Sequence, residues 1–104
     1  MSTNIDLQKI AEELEFDLED VKMLISIFLE SVTKLMLNLK EAIANHNFES
    51  IHQNAHAIKG SAANLNLVDI SHTAKEIELA SREKSTIDYM EYYNKLEKLI
   101  HEIK

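Results

Sequence analysis

One long run of regularly spaced apolar residues constrains the fold of this chain more than any other feature. From Leu18 to about Ala44, apolar side chains recur every three or four positions, at Val21, Leu24, Ile25, Phe28, Leu29, Val32, Leu35, Met36, Leu39 and Ile43. This spacing places the apolar side chains on one face of an α-helix. The pattern therefore predicts a long amphipathic helix over this segment.

The same spacing predicts four further helices. The first spans residues near 4–14 with an N-cap at Ser2, Thr3 or Asn4, and another runs from Phe48 to the segment Asn64-Leu65-Asn66. The next begins at Asp69 or a neighbour and places Ile70, Ala74, Ile77 and Ala80 in the core. The last follows an N-cap at Ser85-Thr86. Proline is absent and there is one glycine, so long helices with short connections are favoured. We therefore expect an all-α fold, an antiparallel four-helix bundle in up-down-up-down order with a short extra N-terminal helix, formed as a single domain by residues 1–104.

Charge and composition exclude several classes of function. The formal net charge is −7 at pH 7, which would repel nucleic acid and anionic membrane surfaces, because both are bound by clustered Lys and Arg. No stretch has the length of an apolar membrane span, and the N-terminus lacks the basic start and apolar run of a signal peptide. Cysteine is absent, which excludes thiolate metal sites and thiol redox chemistry. We expect a cytoplasmic protein that neither binds nucleic acid nor inserts into a membrane.

The third predicted helix carries a feature that a plain helical bundle does not require. The only glycine of the chain, Gly60, lies in the middle of this helix, within the run from Ala55 to Asn64. Glycine there costs about 1 kcal/mol relative to alanine. Its presence suggests that something outside the helix must come close to the backbone.

His56 is predicted to stand on the solvent side of the same helix. At about 100° per residue, its side chain points roughly 130° away from the apolar face, which is centred between Ile51, Ile58 and Ala62. Its neighbours at i+3, i+4 and i+7 are Lys59, Gly60 and Ala63, a cation and two small residues. A neutral imidazole is nucleophilic near physiological pH, so this arrangement suits a nucleophile that another protein must reach, with Lys59 offsetting the charge of an attached phosphoryl group.

The pattern His-x-x-Lys-Gly-Ser on an amphipathic helix resembles the signature of the histidine phosphotransfer (HPt) domain family. In that family the phosphoacceptor histidine is exposed on a helix of an antiparallel four-helix bundle and is followed by Lys, Gly and small residues, as in the run from His56 to Asn64. The resemblance covers most of the chain, because residues 74–82 are similar to the next helix of the family. Asn66 departs from the pattern, since many members carry Gly in the turn after the active helix.

The resemblance also implies roles for individual residues. It places Glu78 near the imidazole, where some members carry Gln, and it lets Arg82 pair with Glu78 at i+4 or meet the partner. His52, Gly60 and Ala63 would flank the site and take part in docking.

The reaction implied by the resemblance is reversible phosphoryl transfer between His56 and an aspartate on a response-regulator receiver domain. A hybrid sensor histidine kinase is a further expected partner. Mg²⁺ and the acidic pocket belong to the receiver in this family, so we expect no cofactor in this chain. The sequence has no Gly-rich phosphate loop or Walker motif, so we expect no ATP-dependent kinase activity, and we expect a monomer rather than a dimer.

Two other classes of function remain open from the sequence. The chain could be a non-catalytic helical interaction or adaptor module in which the His-Lys-Gly run is incidental. It could also be a metal-binding bundle, because His52 and His56 stand at i and i+4, a spacing that can hold a metal ion. We expect no metal site, since a zinc centre needs further ligands that the spacing does not supply.

Overall fold

The computed structural model describes residues 7–103, and every regular element in that range is an α-helix. The helices are α1 (Leu7–Leu14), α2 (Leu18–Ala44), α3 (Phe48–Asn64), α4 (Val68–Arg82) and α5 (Tyr89–His101). The all-α prediction is confirmed, and so are both ends of the predicted long helix. The N-cap candidates Ser2, Thr3 and Asn4 lie outside the described residues. The helices of residues 7–103 include no candidate for a transmembrane segment.

The first four helices all end in the same way, and none of them uses glycine. A residue just after each helix has a positive φ: Glu15 (58°), His46 (54°), Asn66 (57°) and Lys84 (54°). After α3, the backbone N–H of Leu67 donates to the carbonyl of Ala62 at 2.9 Å and that of Asn66 to Ala63 at 3.1 Å, which is the Schellman pattern. Asn tolerates this left-handed conformation well, so Asn66 closes α3 without a glycine.

The helix starts differ in how they are capped. The Asn47 side chain accepts from the backbone N–H of Ser50 at the start of α3, and Asp88 accepts from Glu91 at the start of α5. The predicted N-cap at Ser85-Thr86 is therefore wrong. Ser85 is instead held at the end of α4, where its N–H donates to the carbonyl of Ala80 at 2.8 Å. The fourth helix begins at Val68, directly before the predicted Asp69, without a side-chain cap.

The helices enclose one apolar core, and α3 and α4 are the most closely packed pair. Helix α2 packs against α3 and α5, and α4 also packs against α5. Large, fully buried side chains come from all four longer helices: Leu39, Ile51, Ile58, Ile70, Ile77 and Leu96. Of the four α4 residues predicted to face the core, Ile70, Ala74 and Ile77 are buried and Ala80 is partly buried. Helix α1 packs on α2, and its Glu13 accepts a hydrogen bond from the Asn66 side chain at 3.0 Å.

Candidate functional site

The imidazole of His56 projects from α3 into solvent, with 63% of the side chain exposed. Its helix turns the apolar residues Ile51, Ala55 and Ile58 into the core, which leaves His56 on the outer side of the contact with α4. A side chain in this position contributes little to the core and is open to contact by another molecule.

A buried acid on α4 lies directly beneath His56. Only 2% of the Glu78 side chain is exposed, and its Oε2 accepts a hydrogen bond from His56 Nδ1 at 2.6 Å. Its other oxygen, Oε1, lies 2.7 Å from the ammonium nitrogen of Lys59, whose side chain is 30% exposed. The structure thus brings the three residues together on one buried carboxylate, and Lys59 faces Glu78 rather than standing free in solvent.

The carboxylate of Glu78 is ionised, and this decides which ring nitrogen of His56 carries a proton towards it. Burial raises the pKa of Glu78, but the hydrogen bonds and positive charges of Lys59 and His56 outweigh burial and hold the pKa below its ordinary value. An ionised carboxylate only accepts hydrogen bonds. When His56 carries a single proton, that proton is therefore assigned to Nδ1, which leaves the lone pair on Nε2, at the far edge of the ring from Glu78.

His52 lies one turn before His56 and faces the same carboxylate. Its Nε2 is 3.6 Å from Glu78 Oε2, and the two imidazole rings are nearly parallel, with centroids 6.2 Å apart. This Nε2 is buried and has no hydrogen-bond partner among residues 7–103. His52, His56 and Lys59, on successive turns of α3, thus all point nitrogen atoms at Glu78.

Arg82 does not form the predicted i, i+4 pair with Glu78. Within residues 7–103, the ion pairs of Glu78 are with His52, His56 and Lys59. The reason is that Glu78 turns inward towards α3, whereas Arg82 is exposed. Arg82 instead lines a shallow groove that also contains His52.

The surface beyond His56 is open, as the sequence suggested. A methyl group added at Gly60 would meet no atom within 4 Å, so the fold itself does not require glycine there. Ala63, one turn further on, is exposed. The Ser71 hydroxyl of α4 donates to the Lys59 carbonyl at 3.2 Å and ties the two helices together beside the site. Sequence reasoning missed this contact, because a lone serine on a helix gives no signal of its partner.

The hypothesis of a metal site on His52 and His56 finds no support. His56 Nδ1 and His52 Nε2 both face Glu78 Oε2, and that oxygen already accepts the His56 proton. Across residues 7–103, no three or more His, Asp or Glu side chains come together as a set of metal ligands.

Comparison with known proteins shows the fold and the family of this chain. A solved structure, the crystal structure of histidine-containing phosphotransfer protein B (HptB) from Pseudomonas aeruginosa PAO1, matches with a TM-score of 0.79 at 18% identity, over 97% of this chain and 88% of that one. At this identity the likeness shows a shared fold. No curated protein sequence matches the chain significantly. The model of the Hpt domain family matches residues 23–104, which include all of the site described above, and the chain therefore belongs to the Hpt domain family.

Proposed function

We propose that His56 is the residue that carries the phosphoryl group, and that its Nε2 is the nucleophile. Hpt domains perform histidine phosphotransfer in phosphorelays, in which they interact with receiver domains and kinases, and this is the function of the chain. The observation that carries the assignment to His56 is its 2.6 Å hydrogen bond from Nδ1 to the buried Glu78, which directs the free lone pair outward. Among the described residues, His46, His72 and His101 are also exposed, but no side-chain hydrogen bond orients their rings.

The chemistry that follows is a displacement at phosphorus. The Nε2 lone pair of His56 attacks the phosphorus of an aspartyl phosphate, the N–P bond forms as the P–O bond breaks, and the partner's carboxylate leaves with the electron pair. The proton stays on Nδ1, so the ring becomes positively charged. Glu78 is the group that stabilises this charge, because its carboxylate already accepts from Nδ1. Glu78 is thus a positioning residue that acts through His56.

We propose that Lys59 supports the phosphoryl group while it remains in contact with Glu78. Its ammonium lies 2.7 Å from Glu78 Oε1, one turn along α3 from His56. An ammonium has three N–H donors and the carboxylate oxygen uses one of them. The remaining donors are available to phosphoryl oxygens on His56, at the price of a small rotation about the flexible stem.

The partner is proposed to dock over the clearing next to His56. Gly60 and Ala63 leave room for the loops that surround a receiver's active site. Two exposed cations of α4, Lys75 and Arg82, flank Glu78 at i−3 and i+4 and form no ion pair with any of residues 7–103. Their charge is complementary to the acidic pocket that family precedent places on the receiver. An otherwise acidic protein thus presents a locally basic edge beside its nucleophile.

We also infer the arrangement of the whole chain. An antiparallel up-down-up-down four-helix bundle is supported by the contacts of α2 with α3 and α5 and of α4 with α3 and α5, together with the short turns that join consecutive helices. A single apolar core supports one domain. We propose a monomer, because one chain already supplies every side chain that contacts Glu78.

The test is phosphorylation with phosphoramidate or a phosphorylated receiver, followed by intact mass measurement and peptide mapping under non-acidic conditions. We expect one phosphate, on His56. The His56→Gln variant should stay folded and accept none, whereas the matched variant His101→Gln, at another exposed histidine, should be labelled like the wild type. A folded His56→Gln protein that still accepts phosphate would overturn the assignment, and a chain that accepts none from any donor would favour the adaptor function.

A further inference from the structure

His52 is the member of the site that phosphoryl transfer by itself leaves without a role. Its Nε2 is buried and lacks a hydrogen-bond partner among residues 7–103, although 32% of its side chain is exposed to water. An unsatisfied buried nitrogen is costly, and one beside a carboxylate calls for an explanation. The nearest acceptor is Glu78 Oε2, at 3.6 Å.

A proton on His52 Nε2 resolves this arrangement. If Nε2 carried only a lone pair, it would face the negative oxygen of Glu78 and be repelled by it. Glu78 cannot supply a proton, because its neighbours keep it ionised. A carboxylate oxygen has room for two donors, so Oε2 can accept from His52 as well as from His56 after a small approach of the ring. The contact is attractive when His52 is neutral with Nε2–H, and stronger when the ring is a cation.

Phosphorylation changes the charge that this ring experiences. The form of His56 that attacks is the ring with its proton on Nδ1 and a free lone pair on Nε2, and beside it the charges of Lys59 and Glu78 cancel. Transfer adds a PO₃⁻ unit to His56 Nε2, and the cluster gains one negative charge. The ring of His52 is nearly parallel to that of His56, with the centroids 6.2 Å apart, so it is a titratable group close enough to respond to this charge.

We propose that His52 is a proton-coupled positioning residue, which takes up a proton from solvent when His56 is phosphorylated and returns it when the phosphoryl group leaves. This inference rests on the proposed role of His56 as the acceptor. By linkage, a proton on His52 favours phosphorylated His56 to the same degree that phosphorylated His56 favours the proton. A fall in pH therefore moves the phosphoryl group from the receiver towards His56.

The other charged groups around His52 leave this coupling intact. The groove beside the ring is lined by Glu49 from α3, Arg82 from α4 and Lys84 from the turn after α4. Besides Glu78, one negative and two positive side chains therefore surround the ring, and none of the three takes part in the transfer. They set where His52 titrates in the free protein, and the added phosphoryl charge sets how far that point moves.

The size of the effect follows from the distance between the rings. Phosphorylation adds a net charge of −1 to His56 as a whole, negative on the phosphoryl group and positive on the ring, so the 6.2 Å between the ring centroids gives the scale of the interaction. Two unit charges at that separation change an equilibrium constant by about threefold for an effective dielectric constant of about 80 and by about tenfold for one of about 40. The midpoint at which His52 takes up its second proton should therefore rise by about half to one pH unit on phosphorylation.

The experiment is an NMR pH titration of all five histidine rings in the wild-type protein, before and after phosphorylation with phosphoramidate. The exposed residues His46 and His101 are internal controls. We expect the midpoint of His52 to rise by the amount above while those of the controls stay in place. A midpoint of His52 that moves no more than the controls would overturn the inference. If mass measurement finds no phosphate on His56, the proposed function fails instead, so the two failures are distinguishable.

A variant adds a second measurement. His52→Gln presents an amide to Glu78 but takes up no proton, and His72→Gln is the matched change at an exposed histidine on α4. The equilibrium constant for transfer from the receiver to His56 should rise as the pH falls through the titration of His52. In His52→Gln this rise should be about threefold to tenfold smaller than in the wild type, and in His72→Gln it should be unchanged. An unchanged pH dependence in that variant would contradict the coupling.

Discussion

Two replacements of Glu78 separate the hydrogen bond that its carboxylate accepts from the charge that it carries. Glu78→Gln keeps an oxygen that can accept from His56 Nδ1 but removes the negative charge. Glu78→Ala removes both. Because Lys59 is 30% exposed, its ammonium can turn to water in either variant, so neither leaves a cation buried without a partner.

The magnitudes follow from the 2.6 Å contact between Glu78 Oε2 and His56 Nδ1. A hydrogen bond to a charged group is worth about 1.5–3 kcal/mol and a neutral one about 0.5–1.5 kcal/mol. If the full bond stabilises the positively charged ring that forms during transfer, Glu78→Ala slows transfer by about tenfold to 150-fold. Glu78→Gln loses only the difference between the two kinds of bond, which is about fivefold to tenfold.

The assay is single-turnover transfer from a phosphorylated receiver, with the rate measured at saturating receiver so that docking does not limit it. Glu76→Gln, two residues away on the same helix, is the matched control and should transfer at the wild-type rate. The ¹⁵N shifts of the His56 ring provide a readout that a purely structural role would not move. They should report a proton on Nδ1 in the wild type, and a shift towards the Nε2–H form in Glu78→Ala.

The order of rates is the part of this prediction that is easiest to refute. We expect wild type, then Glu78→Gln, then Glu78→Ala. Equal rates in folded proteins would show that the carboxylate does not assist His56. A Glu78→Ala protein that keeps its proton on Nδ1 would show that the hydrogen bond does not select the tautomer.

Three further predictions concern the surroundings of the site and the fold. Gly60→Ala should raise the free energy of unfolding, measured in urea, by about 1 kcal/mol. Gly60→Tyr should slow transfer from a receiver but not from phosphoramidate, which needs no docking. Equal slowing with both donors would contradict the proposal that the open surface at Gly60 admits the receiver. The pKa of Glu78 is lowered in the folded protein, so its ionisation stabilises the fold at pH values above its unfolded pKa. The difference in free energy of unfolding between wild type and Glu78→Gln should therefore shrink as the pH falls through the folded pKa. A difference that does not change with pH would contradict this. Lys84→Gly should stabilise the protein by about 1 kcal/mol, because Lys84 has a φ of 54°. Asn66→Gly should stabilise it less, because Asn tolerates a positive φ better than Lys does. Thermal denaturation measures both effects, and a larger gain for Asn66→Gly would contradict this reasoning.

The sequence predicted the helices well and the helix caps less well, for a physical reason. Apolar spacing reports which face of a helix is buried, and it located both ends of α2 because its apolar series continues to the last turn. A cap depends on which nearby polar side chain reaches a free N–H. Ser85, Thr86 and Asp88 all qualify by residue type, and Asp88 caps α5 because Ser85 is held by the end of α4.

The residues of the site were accessible to sequence reasoning, but the contacts between them were not. The i, i+4 and i+7 spacing of His52, His56 and Lys59 predicts that they share one side of α3. Nothing in that spacing shows that all three face one carboxylate, because this depends on how α4 packs against α3. The sequence did contain one indication that Glu78 is buried. It follows the core residue Ile77 and stands at i+4 from Ala74, which places an acid at the edge of the apolar face of α4.

Three features of the chain are not what a core alone would select: a glycine in the middle of a helix, a carboxylate that is 2% exposed, and an imidazole nitrogen buried without a partner within residues 7–103. The glycine and the unpaired nitrogen cost stability, and although Glu78 is stabilised by its partners, apolar residues in place of a whole buried ion pair are often more stable still. All three lie within about two turns of His56 on the α3 and α4 surface. Such a concentration of unfavourable choices is expected where the surface is shaped by a partner and a reaction. In the proposed mechanism the acceptor needs space for the receiver, a fixed tautomer and a compensating charge, and Gly60, Glu78 and His52 would supply these in turn.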